Sequence, residues 1–128
     1  MRIVYDDTQQ NLVIDLLESF MDTLDLRAVV EYDYGMDRVQ RYRVKELLNR
    51  HFNDSYCEIG NSVTHAHGIG NNCCYPVYYH DTDEIQHCAN ININQGLYGE
   101  VYVSLENYNK ERIGQKYELH KYGIIRGA

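Results

Sequence analysis

The stretch Thr64–His80, THAHGIGNNCCYPVYYH, puts three His, two adjacent Cys and three Tyr into seventeen residues. His65 and His67 are two apart, so on a strand both would point to one side. That is half of a zinc or iron site, which needs nitrogen or thiolate donors converging on one point. Cys73 or Cys74, His80 or His87 would have to complete it. No Cys-x-x-Cys and no His-x-x-x-His spacing occurs in the chain. Zinc on His65, His67, Cys73 and His80 is therefore an alternative expectation, and the leading one is no cofactor.

The same Cys pair invites a thiol nucleophile, with His67 or His80 as base and Asp81 or Asp83 to orient it. A reactive thiolate needs an electropositive setting. Residues 53–109 hold no Lys or Arg, so these thiols read as small packing residues. The acidic clusters Asp6-Asp7 and Asp81/Asp83/Glu84 sit where turns and helix starts are expected, and there carboxylates are ordinarily solvated or cap-forming. A phosphate-cradling Gly loop with Lys is absent. No catalytic residue is expected.

Tyr is the unusual component: 13 Tyr against two Phe and no Trp in 128 residues. A Tyr ring is apolar but its hydroxyl wants a partner, so Tyr suits half-buried faces and interfaces. The formal charge is −7, unevenly spread. Residues 1–37 carry nine acids and two bases, and 38–52 carry five bases and one acid. Residues 53–109 carry seven acids, and 110–128 carry five bases and two acids. A net field of this sign attracts cationic partners and repels nucleic acid.

These residues need elements to hold them. The apolar positions Leu12, Val13, Leu16, Leu17, Phe20, Met21 and Leu24 recur at helical spacing, predicting a first helix with Asp7 and Gln10 as a capping box. Asp15, Glu18 and Asp22 fall off that stripe and give it an acidic outer face. Residues 26–35 alternate as a strand. A second helix is predicted over 38–52, capped by Asp37, with Val44, Leu47, Leu48 and Phe52 inward. Beyond Tyr56 the period becomes two. His87, Ala89, Ile91 and Ile93 alternate with Cys88, Asn90, Asn92 and Asn94. Leu97 to Leu105 alternates with Tyr98, Glu100, Tyr102 and Glu106, after a tight turn at Gln95-Gly96. The last strand is QKYELHKYGII.

The expected architecture is one α+β domain over residues 1–128, with two N-terminal helices packed on one face of a C-terminal antiparallel meander. No apolar run is long enough for a membrane span. MRIVYDDTQQ has no signal-peptide core, so a cytoplasmic setting with four free thiols is expected.

The expected function is that of a binding protein occupying a basic groove of a larger protein, such as a nucleic-acid-binding enzyme. The contact set would be Asp15, Glu18, Asp22, Asn90, Asn92, Asn94, Tyr98, Glu100, Tyr102 and Glu106. Paratopes use the same mixture of rigid Tyr and adaptable Asn. In size, acidity and Tyr content the chain is similar to small phage or mobile-element inhibitors of host defence enzymes, the anti-CRISPR and anti-restriction proteins. The third expectation is a small-ligand pocket, nucleotide-like, around residues 75–94, with phosphate contacts from the basic segments if they converge. Self-association through a sheet edge is also compatible with the pattern.

Overall fold

The computed structural model describes residues 1–62 and 72–127. The predicted ligands His65 and His67 lie outside the described residues. The chain is α+β, with two helices and a mostly antiparallel sheet. The helices are α1 (Gln10–Thr23) and α2 (Arg41–Asn53). The strands are β1 (Arg2–Tyr5), β2 (Val30–Asp33), β3 (Met36–Val39), β4 (Cys57–Ile59), β5 (Cys74–Asp81), β6 (Glu84–Gln95), β7 (Val101–Glu106), β8 (Arg112–His120) and β9 (Gly123–Gly127).

The helical periodicity translates into burial. Val13, Leu16, Leu17, Phe20 and Met21 of α1 are buried, as are Val44, Leu48 and Phe52 of α2. They share one core with Ile91 and Ile93 of β6, Val101, Val103 and Leu105 of β7, and Tyr117 and Leu119 of β8. Each such side chain withdrawn from water stabilises the fold by about 1.5–3 kcal/mol.

The helix starts differ from expectation. Instead of a capping box, Asp6 accepts from the Thr8 backbone N–H at 2.8 Å and opens a short 3-10 turn, while Gln10 Nε2 donates to Asp7 Oδ1 at 3.0 Å. The carboxylates therefore satisfy a tighter turn that precedes α1. Asp37 caps nothing, because it lies in β3. Residues 36–39 were expected partly as helix, but they pair with β2 across Tyr34 (φ 50°) and Gly35 (φ 85°). Two adjacent left-handed residues are the backbone of a two-residue hairpin turn whose twist matches its strands. The β2–β3 pair is thus a separate hairpin, and α2 begins two residues after it.

Strands β4 to β9 follow one another across the main sheet in chain order. Residues 2–5, RIVY, read from the sequence as a short first strand, form β1, and its parallel place in this sheet was not foreseen. β1 pairs with residues 84–87 of β6 in parallel, while β7 pairs antiparallel with residues 90–95. The long β6 therefore carries β1 and β7 end to end along one side and β5 along the other. The tight turn at Gln95-Gly96 becomes a five-residue loop, with Gln95 paired to Val101 and Gly96 N–H bonded to Glu100 O at 2.8 Å.

A bulge decides which β6 side chains share a face. Val77 pairs with Ala89 but Tyr78 pairs with His87, so Cys88 is the extra residue. An extra residue reverses the alternation. Cys88 and Ala89 are both buried, and His87 joins the Asn90/Asn92/Asn94 row. The period-two pattern had placed His87 on the opposite face, with Ile91. Among the described residues no helix is long and apolar enough to cross a membrane.

Candidate functional site

The Asn row is the axis of the site. Asn90 pairs with Glu106, Asn92 with Ser104 and Asn94 with Tyr102, so these six side chains share one face of β6 and β7. The neighbouring core residues Ile91, Ile93, Val103 and Leu105 point the other way. On the β8 side, Glu106 pairs with Arg112 and Tyr102 with Glu118, and alternation with the buried Tyr117 brings Lys116 outward. The result is an open cleft of about 430 Å³ that includes Asn92, Asn94, Tyr102, Ser104, Lys110, Arg112 and Lys116 on its walls. Three cations thus stand where the 53–109 segment, read alone, offered only acids. Strand pairing imports them from the basic C-terminal segment.

The polar groups of this cleft are unevenly occupied. Asn94 Oδ1 accepts from the Cys73 backbone N–H at 2.9 Å. The Tyr102 hydroxyl donates to Glu100 Oε1 at 3.1 Å, and Lys116 Nζ lies 5.1 Å from the Tyr102 ring centre. Desolvation, then the hydrogen bond and charge of Glu100, raises the Tyr102 pKa, so its hydroxyl stays a donor. The side chains of Asn92 and Ser104 make no hydrogen bond, and Lys110, Arg112 and Lys116 form no ion pair, among the described residues. An array of unspent donors above a sheet is what an anionic ligand needs.

The expected contact residues divide. Asn90, Asn92, Asn94, Tyr102 and Glu106 come together on the open sheet face. Glu100 turns inward and is 6% exposed, accepting from the Tyr98 N–H at 3.0 Å and from Tyr102. Its carboxylate ties the β6–β7 loop together. Tyr98 is exposed at that loop, beside the β2–β3 hairpin. Asp15, Glu18 and Asp22 lie on α1, whose inner side is in the core, and do not line this cleft. Asp22 is engaged by Arg126 Nη2 at 2.7 Å.

The metal candidates separate as well. Cys73 precedes the first residue of β5, and His80 is near its last, seven positions on. At ~3.3 Å per strand residue they stand roughly 23 Å apart, so they do not ligate one ion. His80 Nε2 instead donates to Glu58 Oε2 at 2.9 Å, and among the described residues no group of three potential ligands is arranged to hold a metal.

Three of the four thiols are held in their protonated form. Burial, then the charge of Glu106, pushes the Cys74 thiol up to about 11. Burial alone pushes Cys57 up to about 11, and burial with neighbouring Cys57 pushes Cys88 to about 12. These groups stay protonated at neutral pH.

Sequence reasoning missed a Ser–His contact between the helices, Ser19 Oγ to His51 Nε2 at 2.8 Å. Ser19 Oγ also donates to the Leu16 carbonyl at 3.0 Å, a bond within α1. Helix packing alone creates the Ser19–His51 pair, and nothing in the spacing announces it. Arg112 and Lys116 were missed for a similar reason: the basic segment was visible, but its destination was not. The chain matches no protein-family model, no curated protein and no solved structure.

Proposed function

We propose that this chain is a binding protein that holds an anionic, nucleotide-like ligand on the uncovered face of its sheet. The observation that carries the reading is the convergence of Lys110, Arg112 and Lys116 over the Asn92/Asn94/Ser104 floor, with Glu106 as the one carboxylate on the wall. Among the described wall residues three cations face one anion, against an overall −7, while Glu100 and Glu118 flank Tyr102 from outside the wall. Ligand recognition depends on the local field more than on the total. The two N-terminal helices, in this reading, close one face of the sheet and leave the other for the ligand.

Titration calorimetry with ADP at low salt tests it. Arg112→Gln and Lys116→Gln should each weaken binding about tenfold, the loss of one charge-assisted contact of ~1.5 kcal/mol. Absence of heat or thermal stabilisation at millimolar ADP would sink the reading.

A second reading rests on α1. Asp15 is exposed, Glu18 is half-buried, and neither has a cation within ion-pair distance among the described residues. That face suits a basic groove on a larger protein, as an anti-CRISPR or anti-restriction inhibitor would use. Asp15→Asn with Glu18→Gln should then weaken capture by a basic partner, and added salt should weaken it further. Salt-independent capture would remove this second reading.

A further inference from the structure

A second cleft, of about 470 Å³, opens on the same sheet face. Its walls are aromatic and come from separate elements: Tyr5 from β1, Tyr78 from β5, His87 from β6 and Tyr108 from the β7–β8 turn. The Tyr5 and His87 ring centres are 5.1 Å apart, Tyr5 and Tyr108 5.5 Å, and Tyr78 and His87 5.5 Å, each pair tilted. His87 is fixed by donating from Nε2 to Asn90 Oδ1 at 2.9 Å. Tyr5 is 67% exposed and Tyr108 48% exposed. Four rings held at the surface, with two largely solvated, leave π faces for another planar group. Such stacking is tolerant of ring identity.

The aromatic cleft lies beside the cation cleft. Asn90 lines the first and Asn92 the second, and they are successive outward positions of β6, ~7 Å apart. Tyr108 and Lys110, two residues apart in the same turn, likewise face one cleft each. A ring stacked on Tyr5 and Tyr108 therefore has cations within reach of a charge attached to it.

We propose that the aromatic cleft is the base subsite of a composite site that takes one nucleotide unit: ring on Tyr5, Tyr78, His87 and Tyr108, phosphate on Lys110, Arg112 and Lys116. The assignment rests on the anion-binding reading above and adds the uncharged half of the ligand. Free nucleotide and single-stranded nucleic acid present the same unit, a planar base joined to phosphate.

Amide and imidazole NMR shifts of the full chain separate the parts. Pyrophosphate should move signals of Lys116 and Arg112 and leave the His87 ring in place. Adenosine should move His87, and ADP should move both sets and bind more tightly than either probe. Tyr5→Ala and Tyr108→Ala should each lower ADP affinity about tenfold and leave pyrophosphate affinity unchanged, while Tyr5→Phe retains the ring and the affinity. A single-stranded (dA)5 binding more tightly than ADP, with steep salt dependence, would identify the polymer as the source. Equal affinity would identify the free nucleotide. If ADP moves Lys116 but not His87 and the Tyr variants bind normally, the base subsite is overturned while the anion site stands. If adenosine moves His87 but neither pyrophosphate nor ADP moves Lys116, the anion site fails instead, and the composite site with it.

Discussion

Gly96→Ala puts a methyl group into the space held by the Glu100 side chain. A Cβ built on Gly96 overlaps Oε1 and Cδ of Glu100 and stands 2.7 Å from its Cγ. The carboxylate cannot stay where it is, and it is what ties the β6–β7 loop together. It accepts from the Tyr98 N–H at 3.0 Å and the Tyr102 hydroxyl at 3.1 Å. A hydrogen bond to a charged group is worth ~1.5–3 kcal/mol. Tyr98 is 82% exposed, so the low end applies, and two bonds give about 3 kcal/mol. The cost arises through Glu100, so it should largely vanish when Glu100→Ala is already present. Urea unfolding of the four proteins, followed by circular dichroism because the chain has no Trp, should give a coupling of about 2–3 kcal/mol. Independent sites would add within ~0.5 kcal/mol. Additive losses would refute the claim that Gly96 is small because Glu100 is folded over it. The variant also frees Tyr102, which Lys116 overlies, so ADP binding should weaken in parallel.

Two further outcomes follow from the buried thiol and the separated metal candidates. Cys57 is 1% exposed and its thiol is raised by burial from about 9 to about 11, so the folded state disfavours the thiolate. Its contribution to stability is complete below the unfolded value near pH 9 and is lost as pH rises toward 11. The loss should be on the order of 3 kcal/mol at ~1.36 kcal/mol per unit, and Cys57→Ala should flatten that part of the pH–stability curve. An unchanged alkaline slope in the variant would show that the thiol is not the cause. His80→Ala removes only a half-exposed pairing with Glu58 and should cost under ~1 kcal/mol, with zinc content unaltered in elemental analysis. A fall in bound zinc would reinstate His80 as a ligand.

The helices were the most legible elements, because a 3.6-residue apolar period extends through each. The errors lie at their ends. Asp7 with Gln10 has capping-box spacing, yet Asp6 took the backbone N–H of Thr8. Asp37 is a good cap residue, yet the Tyr34-Gly35 turn drew it into a strand. Both are contests between local hydrogen-bonding options, and residue type alone does not rank them. The β6–β7 pairing was legible as alternation, since Ile91, Ile93, Val101, Val103 and Leu105 all had to face one way. The bulge at Cys88 was not, because an extra residue has no signature in a window of alternating polar and apolar side chains.

The sequence by itself determined the α+β class, the acidic outer row of α1 and the polar row Asn90/Asn92/Asn94. Each of these is a periodicity, and periodicity is a local property of the chain. It also singled out Thr64–His80 by its soft ligands, and the extended β5 then set Cys73 and His80 at opposite ends of one strand. Tertiary structure alone decided that Arg112 and Lys116 stand beside the Asn row and that Tyr5, from the other end of the chain, packs at a tilt against His87. Those contacts cross between strands, and strand pairing depends on register and sheet order. Neither is encoded in the spacing of residues along a single segment.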